Sequence, residues 1–284
     1  MPSTMIDSYA VFGHPINHSK SPRIHRLFAE QTRQDLTYTA QDVPSKNFKT
    51  SADNFFSHGG NGLNCTVPLK ELAWSYADHL SDRARLSKAV NTLARQPDGR
   101  ILGDNTDGIG LVNDLTLNHA ITLSNQRILI LGAGGATRGI LAPILAQQPS
   151  QIVIANRTRS KADTLATEFA QLGNLRSSDF ANLAQMQFDL IINATSASLS
   201  NQLPPLPANL LSADACCYDL AYANEPTAFV RWGISQHARF SLDGLGMLVE
   251  QAAAAFKLWR GIQPATSPVI ALLNSERHLP PSSA

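Results

Sequence analysis

The chain has 284 residues, 16% of them charged, and a formal net charge of +1. That length allows two modest domains with separate cores, and a near-neutral balance without a long basic run speaks against nucleic acid as the main partner. Cys65, Cys216 and Cys217 offer no disulfide framework, the histidines no metal-ligand spacing, and no leader or bilayer-spanning stretch is present, which predicts a metal-free protein of the reducing cytoplasm with no membrane partner.

Strand and helix patterns alternate along the chain, which predicts an α/β fold. Tyr9-Ala10-Val11-Phe12 reads as a first strand. A helix is expected from about Pro22, with Ser21 as its N-cap and proline in the first turn. Strands follow near 36–40 and 62–67, then a helix over 70–79. A two-residue period in the second of these strands puts Asn64 and Thr66 on one face and Cys65 and Val67 on the other, with Cys65 read as core. Segments 91–95 and 100–103 flank Asp98-Gly99, a hairpin signal. A helix carrying Ile109, Val112 and Leu115 starts at Asp107.

The next segment is the most informative. The apolar run Ile128-Leu129-Ile130-Leu131 enters Gly132-Ala133-Gly134-Gly135-Ala136, followed by a helix-compatible stretch. A buried parallel strand feeding such a turn brings backbone N–H groups and a helix N-terminus towards a pyrophosphate. The match to the dinucleotide fingerprint is partial, because Thr137 stands where a third small residue is expected. Ile152-Val153-Ile154-Ala155 reads as the next strand, at whose end a carboxylate would bond a ribose 2′-hydroxyl. This chain has Asn156-Arg157-Thr158-Arg159-Ser160-Lys161 there instead. Arg157 can fork onto a 2′-phosphate and Lys161 adds charge, so NADP(H) is expected over NAD(H). After a proline-rich loop at 203–207, Leu245, Leu248, Ala252, Ala255 and Trp259 recur at intervals of three and four, one apolar stripe closed by Gly261 and Pro264. The expected architecture is two α/β domains. A Rossmann-type cofactor domain occupies 107–243, a split substrate domain 1–106 plus 244–284, and a cleft between them would hold both ligands.

Taken singly, the polar residues of the first domain leave their roles open. Lys70 reads as a solvated helix start as readily as an active group, Ser19 and Ser21 as turn and cap residues, Asn91 as a turn closer and Asp107 as a helix cap. Together they resemble a family. The segments Gly13-His14-Pro15-Ile16-Asn17-His18-Ser19-Lys20-Ser21-Pro22, Asn64-Cys65-Thr66-Val67-Pro68-Leu69-Lys70, Ala89-Val90-Asn91-Thr92-Leu93 and Gly103-Asp104-Asn105-Thr106-Asp107-Gly108 closely resemble the shikimate dehydrogenases. So do Asn156-Arg157-Thr158, Asn193-Ala194-Thr195-Ser196, Tyr218-Asp219 and Asp243-Gly244-Leu245-Gly246-Met247-Leu248, in the same order and over nearly the whole chain.

The resemblance implies reversible, NADPH-dependent reduction of 3-dehydroshikimate to shikimate, a step towards aromatic amino acids. It makes Lys70 the catalytic lysine and Asp107 its carboxylate partner, which also faces substrate. Ser19 and Ser21 would hold the substrate carboxylate, with Tyr222 near it. Thr66, Asn91 and Gln251 would bind the ring, Asn64 less directly. Gly132, Ala133, Gly134, Gly135 and Ala136 would form the pyrophosphate loop. Asn156, Arg157, Thr158 and Lys161 would form the 2′-phosphate and ribose pocket, and Leu220 and Gly244 would line the nicotinamide through their backbones. Departures from the family pattern are Leu220 for methionine, Ala197-Ser198 for a more glycine-containing stretch, Ala228 for proline and Cys65 for an apolar residue. Two other readings are a quinate/shikimate dehydrogenase with broader cofactor use and a non-catalytic NADP(H)-binding module. Monomer and homodimer are equally open.

Overall fold

A computed structural model describes residues 6–277, so the outermost ends of the expected first domain, 1–5 and 278–284, lie outside the described residues. The chain begins β1 (Asp7–Gly13), α1 (Ser21–Thr32), β2 (Leu36–Asp42), α2 (Phe48–Ser57), β3 (Gly60–Cys65), α3 (Lys70–Tyr76), β4 (His79–Leu80), α4 (Asp82–Ser87), β5 (Thr92–Arg95), β6 (Ile101–Asp104) and α5 (Asp107–Asn113). These strands form one sheet in the order β2-β1-β3-β5-β6-β4, with β5 antiparallel to both its neighbours. Ala10, Phe12, Leu63, Cys65 and Leu93 point to one face, where Phe48, Ala52 and Phe56 of α2 and Leu69 and Ala73 close a core. Each of the buried leucine and phenylalanine side chains contributes about 1.5–3 kcal/mol by leaving water.

Three local expectations are corrected here. Ser21 is not the cap of α1 but its first residue; Lys20 sits at the N-cap and no side chain caps the helix. The Ser21 amide instead donates to the Ser19 Oγ at 3.3 Å. Strand β3 ends at Cys65, so Val67 does not share the core face with it and stands 69% exposed. Thr66 therefore belongs to the turn, although its N–H still reaches the Phe12 carbonyl at 2.9 Å. The helix expected over 70–79 stops at Tyr76 because Asp78 is claimed by β6: its N–H donates to the Ile101 carbonyl at 2.9 Å and its carboxylate accepts from the Ile101 N–H at 2.7 Å. Sheet pairing thus overrides helix periodicity.

The second sheet is built from β7 (Arg127–Leu131), β8 (Gln151–Ala155), β9 (Leu175–Ser178), β10 (Phe188–Asn193), β11 (Leu211–Asp219) and β12 (Phe240–Leu242), with α6 (Gly135–Leu145), α7 (Arg159–Glu168) and α8 (Ala228–Ser235) between them. All its pairs are parallel, in the order β12-β11-β10-β7-β8-β9. That is the doubly wound Rossmann order, whose strand sequence reverses between β7 and β10. Continuous apolar runs follow from burial on both faces. Ile128, Ile130, Ile152, Ile154, Leu190 and Ile192 feed one core, and Leu129, Leu131, Val153, Ala155 and Ile191 feed the opposite one. Cys216 and Cys217 split between these two cores in the same way. The departure at Ala228 has a local answer: the Thr227 side chain caps α8, accepting from the Val230 N–H at 3.2 Å.

Two further helices, α9 (Leu245–Arg260) and α10 (Ser267–Arg277), complete the chain. The chain divides into two compact units, one running to Gly110 and including Val249–Val269, the other comprising Leu111–Leu248 and the chain from Ile270. The return segment of the first unit is thus shorter than 244–284. Among the described residues no helix is long and apolar enough to cross a membrane.

Candidate active site

In the first unit the loops after the strands converge. The His14 N–H donates to the Val67 carbonyl at 3.1 Å, and a methyl group placed on Gly13 would meet the Thr66 Cγ2 at 2.4 Å. The turn bearing Ser19 and Ser21 and the turn bearing Thr66 are thereby stitched together. Lys70, the first residue of α3, donates to the Asp107 Oδ2 at 2.5 Å, with the lysine side chain 25% exposed and the carboxylate 12%. The ammonium is therefore fixed and still reachable from outside.

Asp107 is held in turn. Its Oδ1 accepts from the Asn91 Nδ2 at 2.8 Å and its backbone N–H donates to the Asn105 Oδ1 at 3.1 Å. Asn91 is 2% exposed, and its Oδ1 accepts from the Thr106 N–H at 2.9 Å and the Thr92 hydroxyl at 2.8 Å. Its Nδ2 also faces the Gln251 Oε1 at 3.3 Å, which brings α9 to the site. Lys70, Asp107, Asn91 and Gln251 thus form one connected group. Asn64 joins it from beneath, donating through Nδ2 to the Asn91 carbonyl at 3.0 Å and the Thr92 Oγ1 at 3.1 Å. Ser19 is linked to Ser21 through the Ser21 amide, and the phenol of Tyr38, a residue that sequence reasoning missed, donates to the Asn64 Oδ1 at 2.7 Å. The usable signal lay in α1: Ser21, Ile24, His25 and Phe28 share its buried stripe, so the polar serine and histidine point the same way. Tyr222 belongs to the second unit, where burial raises its phenol and the Arg277–Asp243 ion pair, 2.6 Å long, lies close by.

The second unit gathers its expected residues at the carboxyl ends of the parallel strands. The turn after β7 opens with Gly132 at φ +101°, a left-handed conformation that glycine favours. Thr137, in the third fingerprint position, is fully buried and donates its hydroxyl to the Gly132 carbonyl at 2.8 Å, so its extra atoms are absorbed without loosening the turn. Gly134 and Gly135 are different. A Cβ on either would meet nothing within 4 Å, both are exposed, and α6 starts there without a side-chain cap or an acidic residue in its first turn. The protein's own packing gives no reason for two bare residues at an uncapped helix N-terminus, whereas close approach of an anionic pyrophosphate does.

Asn156, Arg157, Thr158 and Lys161 follow β8. The Asn156 Nδ2 donates to the Thr158 carbonyl at 2.8 Å and shapes the turn, and no described carboxylate pairs with Arg157 or Lys161. An exposed guanidinium and ammonium there suit a 2′-phosphate. Leu220 and Gly244 meet through their backbones: the Leu220 N–H donates to the Asn193 carbonyl at 2.9 Å, and a Cβ on Gly244 would fall 2.2 Å from the Leu220 carbonyl oxygen. Behind them the buried Asp219 accepts from Asn193 at 3.1 Å, the Ala221 N–H at 3.1 Å, Ser198 at 2.5 Å and Thr227 at 2.6 Å. Burial still lifts this carboxyl above the usual range. The Ser198 bond gives the Ala197-Ser198 departure a role, since the hydroxyl ties that loop to β11.

The chain belongs to the shikimate dehydrogenase family. Residues 11–93 match the shikimate dehydrogenase substrate binding domain, residues 114–201 the shikimate / quinate 5-dehydrogenase family, and residues 244–273 the shikimate 5′-dehydrogenase C-terminal domain. A shikimate dehydrogenase (NADP(+)) of Methylococcus capsulatus is 62% identical over 96% of this chain and 98% of its own length. Among solved structures, an Ael1 enzyme from Pseudomonas putida is 48% identical with a TM-score of 0.89, covering 94% of this chain and 98% of that one. The shikimate 5-dehydrogenase of Thermus thermophilus in complex with NADP(H) and shikimate is 32% identical with a TM-score of 0.85, covering 96% and 100%.

Proposed function

We propose that this protein is an NADP-dependent shikimate dehydrogenase, reversibly reducing 3-dehydroshikimate to shikimate on the route to aromatic amino acids. The observation that carries the reading is the reachable Lys70 ammonium, fixed 2.5 Å from Asp107 inside a buried amide and hydroxyl network. Reduction of a ketone builds negative charge on its oxygen. Lys70 stabilises that charge and delivers the proton, and Asp107 holds the lysine in line while accepting from a substrate hydroxyl. In the oxidation direction the same lysine takes the hydroxyl proton. Asn91, Gln251 and Thr66 suit the ring hydroxyls, with Asn64 supporting them, and Ser19 and Ser21 suit the carboxylate, with Tyr222 as a further contact to it. A site of many donors rejects analogues that lack hydroxyls, because its buried groups would then stay unpaired.

NADPH supplies the hydride when bound. The turn from Gly132 to Ala136 would hold its pyrophosphate, Asn156, Arg157, Thr158 and Lys161 its phosphorylated ribose, and Leu220 and Gly244 its nicotinamide. Three buried free thiols fit a cytoplasmic enzyme, working as a monomer or homodimer.

Nicotinamide absorbance tests the reading, with shikimate and quinate each offered with NADP⁺ and NAD⁺. Shikimate-dependent NADPH formation, far faster than NADH formation, is expected. Quinate turnover with NAD⁺ at a comparable rate would decide for the broader enzyme. Tight NADPH binding with neither substrate oxidised would leave a binding module.

A further inference from the structure

The first turn of a helix leaves N–H groups that no carbonyl of the same helix can accept. At α6 no side chain caps them, whereas at α9 the protein takes them up itself. The Leu245 N–H donates to the Asp243 Oδ1 at 3.1 Å, and the Met247 N–H donates to the Tyr218 hydroxyl oxygen at 3.3 Å. Tyr218 lies on β11 and is fully buried, and its own O–H donates to the Asp114 Oδ2 at 2.6 Å.

Asp114 is an unusual place for a carboxylate. It is 1% exposed and opens a π-helical turn, Asp114–Asn118, directly after α5, with the His119 N–H donating to its carbonyl at 3.2 Å. Such turns are rare and recur at functional sites. This one brings the Asn118 Nδ2 to 2.9 Å and the His119 Nε2 to 3.8 Å from the Asp114 Oδ1. Facing it, α9 makes room: a Cβ on Gly246 would overlap the Asp114 carboxylate. Burying a carboxylate is costly for a fold, and here it is aimed, through one phenol, at the positive end of a helix. Burial and the adjacent carboxylate push the phenol upward, so its proton stays on Tyr218. Donation to a carboxylate also polarises the phenol and makes its oxygen the better acceptor for Met247.

Gly244, at the entry to α9, is held as firmly. Its N–H donates to the Ala221 carbonyl at 3.1 Å, its carbonyl accepts from the Leu248 N–H at 2.9 Å, and a Cβ there would run into the Leu220 carbonyl. Tyr218 stands two residues before Leu220, so the end of one strand governs both partners. We infer that Tyr218 is a positioning residue for the nicotinamide: anchored on the buried Asp114, its phenol oxygen holds the first turn of α9 so that Gly244 stays pressed against Leu220, the pair proposed to line the reacting ring. Asp114 acts through Tyr218, and Gly246 is bare to admit Asp114.

This role rests on the reading of the protein as a shikimate dehydrogenase, so the wild type is assayed first, and absent turnover of shikimate there would overturn both. With turnover in hand, Tyr218→Phe keeps the buried ring and removes the oxygen that joins Asp114 to α9. Its single-turnover rate of NADPH formation, at saturating shikimate and NADP⁺, should fall about tenfold. The inhibition constant of adenosine 2′,5′-bisphosphate, which fills the half of the cofactor site away from the nicotinamide, should stay within about twofold. Asp114→Asn keeps an acceptor for the phenol and should hold the rate within about threefold of wild type. Gly246→Ala displaces the carboxylate while leaving Tyr218 intact and should reproduce the loss, which carries the test if Tyr218→Phe does not fold. A phenol that merely supports the core would lower Tm and leave the single-turnover rate in place. That unchanged rate, or a bisphosphate constant rising in step with the loss of rate, would overturn the inference.

Discussion

The two units prepare their ligand sites by opposite means. In the first, side chains are already bonded to one another: Asn91 alone touches Thr92, Thr106, Asp107 and Gln251. In the second, the site consists of backbone and of space, with Gly134 and Gly135 bare and Arg157 without a carboxylate partner among the described residues. The contrast follows from what each must recognise. A polyhydroxylated ring is told apart by where its hydroxyls lie, which demands fixed side-chain donors and acceptors. A pyrophosphate is the same in every dinucleotide and needs only N–H groups and a helix terminus, so sequence matters there chiefly by leaving atoms out.

That contrast can be broken most sharply at Lys70. Lys70→Met should cut kcat about 10³-fold with little change in Tm, measured by steady-state assay and thermal scan. Near-normal turnover would show that the bonded network is scaffold alone. Arg157→Ala comes next. It should lower kcat/KM for NADP⁺ about 30-fold or more while leaving NAD⁺ almost untouched, and equal losses for both cofactors would remove the 2′-phosphate assignment.

Acid tests the pre-bonded side through His25, whose imidazole burial pushes down to about 3. A group with a lowered folded-state value takes up its proton more readily when unfolded, so stability falls as pH drops through the ordinary histidine value near 6.5. From pH 7 to pH 5 this amounts to about 2 kcal/mol, visible as a falling Tm. His25→Phe should flatten that dependence, and an unaltered slope would contradict it. The smallest effect belongs to the open side. Gly135→Ala should leave Tm within about 1 °C, since its Cβ meets nothing, yet weaken NADPH binding severalfold by calorimetry. A lower Tm with unchanged affinity would mean that the empty space serves the fold.

Much of this was legible in the chain because the cofactor unit writes its structure locally. Ile128–Leu131 and Ile152–Ala155 are uninterrupted apolar runs because both faces of their strands are buried, and Gly132–Ala136 sits where one must turn into a helix. The first unit was less readable wherever a distant strand decided the outcome. The length of α3 was set by Ile101, twenty-odd residues away, and the alternation through Thr66 failed because β3 stops at Cys65. Ser21 looked like a cap by every local rule, yet it is the first residue of α1 and no side chain caps that helix. Tyr38 carried no signal of its own in a short strand with partly exposed neighbours.

The three thiols have a practical consequence. Cys65, Cys216 and Cys217 are all buried, and burial pushes each thiol upward, Cys217 to about 12. Since the thiolate is the reactive form, the native protein should be nearly inert to maleimides and iodoacetamide at neutral pH. A single cysteine introduced on an exposed position, such as Glu71 or Lys161, would then accept a fluorophore or spin label selectively without first stripping the background.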